Sequence, residues 1–168
     1  MIYKFCPKCG GKLGKIKEEN HQRLVCQNCH FVFYQNSKPT ASAIIFDDKK
    51  RILLTKRAVE PKKNYWDFPG GFLEEGEYPQ DGLKREIFEE LGVKIKIIKM
   101  LGIFMDNYKT DGVNYSTLNI YYLVKIIHGQ LKPMSDIMAI RWFGKEELPP
   151  KKIAFKSNIQ AIKTWLKI

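Results

Sequence analysis

Glu86, Glu89 and Glu90 stand at i, i+3 and i+4 in the segment GFLEEGEYPQDGLKREIFEELGV, residues 71–93. On a helix, that spacing puts three carboxylates on one face within a single turn. Like charges so placed destabilise a helix, so the row needs a counter-charge. A hard divalent cation supplies one, and carboxylate oxygens suit Mg²⁺ or Mn²⁺. Pro79 fits the first turn of this helix and Gly92 fits the position just past its end, which predicts a helix from Pro79 to about Leu91. At about 100° per residue, Leu83, Ile87, Phe88 and Leu91 share an apolar arc that would face a core. The carboxylates flank that arc and are free to face a cleft. Gly82 falls among them on the wheel, and we expect it to leave room for metal or substrate. Arg85 precedes Glu89 by four residues and is expected to orient it.

A second metal chemistry is written at the N-terminus. All four cysteines lie in the first 29 residues, as Cys6/Cys9 and Cys26/Cys29, with 16 residues between the pairs. Two C-x2-C turns at that separation match a zinc ribbon, in which four thiolates close a tetrahedral site. A closed site of this kind is structural and not catalytic. His21 and His30 are spare ligands, but the cysteines suffice.

Composition sets the frame for both features. The chain has 168 residues, 44% hydrophobic and 28% charged, enough for one ordinary core and a small appendage. The net charge is +11, unevenly spread. Residues 71–93 hold seven acids against Lys84 and Arg85, a net of −5, so the rest carries +16. An acidic island in a basic chain suits a metal site facing a polyanionic substrate, although solvating surface lysines are the plainer reading of many of these charges. No apolar run approaches the roughly 20 residues of a membrane span, so no membrane partner is expected. The first residues have no signal-type apolar stretch, and a cytoplasmic protein is expected.

Residues 34–39 read as a linker between a zinc ribbon at 1–36 and a second domain at 37–168. Residues 41–46 and 51–56 read as two strands about a turn at 47–50. A loop-rich stretch follows over 57–70. Strands are expected at about 93–105 and 115–127, joined near 110–112, and again at 138–143. Ser157 is placed to cap a last helix running to Leu166. Strands predominate, with two helices far apart, which points to a mixed α/β sandwich.

The acidic segment resembles the Nudix box, G-x5-E-x7-R-E-U-x-E-E-x-G-U, where U is bulky and aliphatic. Gly71, Glu77, Arg85, Glu86, Ile87, Glu89, Glu90, Gly92 and Val93 fill its nine defined positions. The resemblance implies the α/β/α Nudix sandwich with a mixed sheet, here behind a small zinc ribbon. It also implies Mg²⁺-dependent hydrolysis of a nucleoside diphosphate linked to another moiety. By the same resemblance, Glu86, Glu89 and Glu90 ligate the divalent ions with the Gly71 carbonyl, Arg85 and Glu77 support the helix, and Glu89 or Glu90 accepts the proton of the attacking water. Asp136 stands where the family commonly has a glutamate ahead of the last strand. Arg57, at a strand end, is the cation best placed for substrate contact. Tyr65 and Trp66, with Phe68, are candidates to stack on a base, packing of their loop onto the core being the alternative.

A ribbon ahead of such a domain is similar to NADH pyrophosphatases and to ribbon-bearing ADP-ribose or flavin-dinucleotide pyrophosphatases. The Ser-Gln-Pro-Trp-Pro-Phe-Pro stretch of the NADH enzymes has no counterpart in KIKIIKMLGIFMDNY, residues 94–108. ADP-ribose or a dinucleotide pyrophosphate is therefore the favoured substrate. A nucleoside triphosphate pyrophosphatase and an RNA 5′-end pyrophosphohydrolase are the alternatives. A nucleotide-sensing module with a nucleic-acid-binding ribbon is the non-enzymatic one. A homodimer supported by the ribbon is a further expectation.

Overall fold

The computed structural model describes residues 3–168. The chain divides into two compact units, Met1–Ser37 and Lys38–Ile168.

The first unit is a three-stranded antiparallel meander of β1 (Leu13–Glu18), β2 (His21–Cys26) and β3 (Val32–Phe33). Its two cysteine turns are built alike. Cys6 N–H donates to Gly11 O and Gly10 N–H to Cys6 O. Cys26 N–H donates to Phe31 O and His30 N–H to Cys26 O in the same pattern. The turns bring the four Sγ atoms within 4.8 Å of one another. Four thiolates about 2.3 Å from one tetrahedral ion leave this spacing between sulfurs, so the quartet fits zinc. Backbone amides of Lys8 and Cys29 already donate to Cys6 and Cys26 Sγ, each at 3.4 Å. His21 and His30 are not part of the quartet. Apart from the cysteines, the buried apolar residues of this unit among the described residues are Leu13 and Leu24, flanked by the Tyr3–Phe33 ring pair. So small a core cannot hold three short strands, and metal binding must supply most of the folding energy.

The second unit has two sheets and two long helices. Its larger sheet is mixed. It contains β4 (Lys38–Ile45), β7 (Gly70–Phe72), β8 (Val93–Thr110) and β9 (Val113–Gly129) in the order β7-β4-β9-β8. β4 and β9 run parallel, and the other two pairs are antiparallel. The smaller antiparallel sheet has the order β10-β5-β6, from β5 (Ile52–Arg57), β6 (Trp66–Asp67) and β10 (Ile137–Phe143). Alternation along β4 sends Ala41, Ala43 and Ile45 to one face and Ile44 to the other. The first face is covered by α1 (Pro79–Leu91), whose Leu83, Ile87 and Leu91 are fully buried there. Each such side chain contributes about 1.5–3 kcal/mol. The second face packs Tyr121 and Leu123 against Phe143 of the small sheet and against Ala161 and Ile162 of α2 (Lys156–Trp165). This is the expected mixed-sheet α/β architecture.

The two strands expected on either side of residues 47–50 are present; they share one bridge, Phe46–Ile52, and then part into different sheets. Asp47 shapes the crossing by accepting Lys49 and Arg51 amides at 3.0 and 2.9 Å. Four local expectations are corrected. The loop 57–70 contains β6 and the first residue of β7, and β4 already begins inside the expected linker. Phe88 is 55% exposed and does not belong to the buried arc of α1. Ser157 caps nothing. It lies inside α2, and its amide instead donates to Asp106 Oδ2 of β8 at 2.7 Å. That carboxylate caps the helix from another element.

Substituting Cys9→Ser, or extracting the metal with a chelator, should abolish zinc binding and unfold the first unit. Zinc stoichiometry and protease resistance of residues 3–37 measure this. A Cys9→Ser protein that keeps one tightly bound zinc and a resistant first unit contradicts the four-thiolate site.

Candidate active site

The docking of α1 on β7 builds the acidic side of the site. β7 pairs Gly70 with Ser42 and Gly71 with Ala41 of β4. Gly70 has φ +133°, and a side chain there would run into the Ala41 carbonyl. At Gly71 a Cβ would stand 2.6 Å from the Glu86 carboxylate. Two glycines thus let the acidic face of α1 lie directly on the strand. Glu90 Oε2 accepts the Gly70 N–H at 2.9 Å as a result.

Arg85 ties the row together. Its Nε and Nη2 donate to the two Glu77 oxygens, each at 2.9 Å, a bidentate pair. Its Nη1 reaches Glu86 Oε1 at 2.8 Å and Glu89 Oε2 at 3.3 Å. The expected contact with Glu89 is therefore the longest of the ion pairs, and Glu77 is the principal partner. Hydrogen bonds from Arg85 and from the Glu74 amide hold the Glu77 carboxyl down at about 2. Gly82 serves this arrangement. A Cβ there would meet Glu77 Oε2 and Leu73 Cδ2, both at 2.6 Å, so the glycine makes room for the Glu77–Arg85 clasp and not for metal or substrate.

The remaining carboxylates are poorly neutralised. Burial pushes Glu90 up to about 9, reinforced by the charges of Asp136, Glu86 and Asp67, while the Gly70 N–H opposes the shift. Burial likewise raises Glu86, with Glu89 and Asp136 adding to the effect against Arg85. Glu89 is the exposed member of the row. Among the described residues, the cysteine quartet alone brings three or more ligand atoms together as a group. Glu86 and Glu90 are turned toward Arg85 and Gly70. Their oxygen chemistry and excess negative charge nonetheless suit a hard divalent ion, which would draw the three side chains together.

Glu86, Glu89, Glu90, Gly71 and Asp136 all line one cleft of about 330 Å³. Arg57 lines it as well. Arg57 Nη1 pairs with buried Asp67 Oδ2 at 3.0 Å, and its guanidinium lies over the Phe155 ring at 5.4 Å and the Tyr108 ring at 6.0 Å. Tyr65 and Trp66 are not among the lining residues. Trp66 packs edge-on against Phe143 in the second core, and Tyr65 lies beneath Lys62 and Lys152. Their role is the packing alternative. Of the three aromatic candidates, Phe68 alone reaches the cleft.

Asp67, Asp106, Tyr108, Phe155 and Asn158 also line the cleft, and sequence reasoning missed all five. Asp67 carried a signal, because it directly precedes the Phe68-Pro69-Gly70-Gly71 run. The others come from a long hairpin and from the last helix, and only the tertiary fold brings them to the box.

The NUDIX domain family matches residues 36–164, and the family described as Nudix N-terminal matches residues 4–35. The NAD-capped RNA hydrolase NudC of Vibrio parahaemolyticus is 27% identical over 148 residues, covering 88% of this chain and 53% of that protein. An ADP-ribose pyrophosphatase of Methanocaldococcus jannaschii is 32% identical over 111 residues, covering 66% of this chain and 63% of its own length. The chain therefore spans about half the length of the NudC relative. Among solved structures, a NUDIX hydrolase from Nitrosomonas europaea superposes with a TM-score of 0.81 at 28% identity, covering 98% of this chain and 91% of its own.

Two measurements check this geometry. Glu90 binds a proton in the folded, metal-free protein between its ordinary value of 4.5 and about 9, where the unfolded chain has lost it. That group's stability contribution therefore falls as pH rises through this window and levels off above it. Glu90→Gln should flatten the pH dependence and raise the metal-free melting temperature at pH 8. A variant that melts like the parent across pH 5–9 contradicts the buried charge. Separately, Gly82→Ala should destabilise the fold by about 1–3 kcal/mol through overpacking, read by denaturant titration.

Proposed function

This chain belongs to the Nudix family, and from that premise we propose that it is a divalent-metal-dependent pyrophosphohydrolase acting on a nucleoside diphosphate linked to a second moiety. ADP-ribose or a dinucleotide is the favoured substrate. The observation that carries the reading is the pairing of chemistries in one cleft, where a crowded row of carboxylates faces an aromatic-backed guanidinium. A pyrophosphate needs both, because its own oxygens repel a nucleophile. The names of the relatives, an NAD-capped RNA hydrolase and an ADP-ribose pyrophosphatase, support the substrate class.

Glu86, Glu89, Glu90 and the Gly71 carbonyl would hold the ion, Mg²⁺ or Mn²⁺. When bound, the ion supplies charge neutralisation at the phosphates and a water of lowered pKa. Glu90 is half-buried and fixed on the Gly70 amide, which suits a ligand that stays in place. Glu89 is exposed and held at 3.3 Å by Arg85, which suits a group that moves to accept the proton of the attacking water. Asp136 lies close enough to raise both Glu86 and Glu90, and it extends the acid set from the loop before β10. Arg57 binds a phosphate oxygen of the substrate from its own side of the cleft. A 5′-capped RNA is the second reading, favoured by the NudC relative and by the charge of +16 outside the box.

Glu89→Gln and Glu90→Gln should each keep the fold and lower kcat on ADP-ribose by about 10²-fold or more, because each removes a metal ligand or proton acceptor. Product analysis with Mg²⁺ and Mn²⁺ should give AMP and ribose 5-phosphate. Wild-type turnover in both variants would sink the assignment. For RNA, affinity should fall steeply with salt, and a flat response removes that reading.

A further inference from the structure

The cleft residues that the reaction does not use form a continuous buried chain. Tyr121 O–H lies 2.6 Å from Asn158 Oδ1 and 3.0 Å from Ser157 Oγ. A phenol has one proton, and an amide oxygen only accepts, so the Tyr121 proton goes to Asn158 and the Ser157 hydroxyl donates to Tyr121. Asn158 Nδ2 then donates to Asp67 Oδ1 at 2.7 Å. Asp67 Oδ2 accepts Arg57 Nη1 at 3.0 Å. Ser157, Asn158 and Tyr121 are each at most 2% exposed and Asp67 is 9% exposed. The donors run one way from Ser157 of α2 through Tyr121 of β9 and Asn158 of α2 to Asp67 of β6, whose other oxygen accepts from the guanidinium.

Arg57 is fixed on its other edges as well. Its Nε donates to the Pro61 carbonyl at 2.8 Å, and Nη2 makes a long contact of 3.4 Å with Tyr108 O–H. Three of its five N–H groups are engaged, which leaves one on Nη1 and one on Nη2. Two adjacent nitrogens with one N–H each are what a bidentate phosphate contact requires. A buried carboxylate beside Arg57 reduces the net charge offered to an anion, so attraction alone does not account for Asp67. Orientation does, because an arginine held in one pose loses little entropy when a phosphate arrives.

We propose that Asp67 and Asn158 are positioning residues, and that the buried Ser157–Tyr121–Asn158–Asp67 chain locks Arg57 in the pose that grips a phosphate of the substrate. The substrate part rests on the pyrophosphohydrolase reading above; the locking of Arg57 does not. α2 thereby acts on the site without contributing a group to the phosphates. Its own start is tied to the cleft by Asp106, which accepts the Ser157 amide.

The test has a ligand-free arm and a kinetic arm. In NMR spectra of the isotope-labelled protein, the Arg57 side-chain N–H signals should show hindered rotation in the parent. They should average in Asp67→Asn and Asn158→Ala, and shift part of the way in Tyr121→Phe. In ADP-ribose kinetics, Asp67→Asn should raise KM about tenfold with kcat changed less than threefold. Calorimetric affinity for ADP should fall by a similar factor. The double variant Arg57→Ala/Asp67→Asn should bind ADP no worse than Arg57→Ala alone, because Asp67 acts only through Arg57. Unchanged Arg57 signals in Asn158→Ala overturn the proposal, even if that variant is less stable. Additive losses in the double variant overturn it too. A parent that restricts Arg57 and binds ADP but hydrolyses no pyrophosphate refutes the functional reading and leaves the lock standing.

Discussion

The burial of the Glu90 carboxylate against the Gly70 amide is the contact on which the site depends. It is costly, since burial and three neighbouring acids push Glu90 up to about 9. It forces the helix and the strand together, and the glycines at 70 and 71 exist in that form because a side chain at either would block the approach. The same approach brings Glu86 onto the strand and under Arg85. An isolated row of acids would spread into solvent. This one is held in by three buried aliphatic side chains of α1, whose burial opposes the electrostatic penalty.

The molecule treats its acids in two ways. Glu77 is neutralised by a bidentate arginine and serves the helix. Glu90 and Asp67 are buried with their carboxyls raised, and both face the cleft. The difference separates structure from chemistry. A satisfied carboxylate stabilises a clasp, whereas an unsatisfied one stores a demand for positive charge that a cation or a guanidinium meets. Asp67 meets it with Arg57, inside the chain. Glu86 and Glu89 share a single Arg85 nitrogen, and Glu90 has only the Gly70 amide.

What the sequence revealed follows from where each constraint is local. α1 was legible to the residue because Pro79 and Gly92 mark its ends and the glutamates repeat at helical spacing. The cysteine turns were legible because each pair closes a knuckle over four residues. The partition of β4 and β5 into separate sheets was not, since both read as short apolar strands flanking a turn-like Asp47-Asp48-Lys49-Lys50. Ser157 was misread as a cap because the true cap, Asp106, lies 51 residues away. Phe88 was misplaced because hydrophobicity alone widened the apolar arc beyond what β4 and β8 cover. Gly82 was assigned to the right helix face and the wrong neighbour, which was Glu77 and not a ligand.

The second wall of the cleft shows why a motif tells only half of a site. The box lies in one continuous segment, so its spacing survives in the sequence. The opposing wall takes Arg57 from β5, Asp67 from β6, Tyr108 from β8, and Phe155 and Asn158 from the start of α2. No spacing rule joins positions such as Asp67 and Asn158, 91 residues apart. What joins them is the mixed sheet. β9 places Tyr121 under α2, while the parting of β5 from β4 puts Arg57 on a different sheet from the strand that carries the box glycines. The row of three glutamates thus resides on one local element, whereas the residues of the other wall are spread over the fold. A motif confined to one segment therefore specifies the acids and leaves the rest of the cleft unspecified, because the residues that line it lie on other elements.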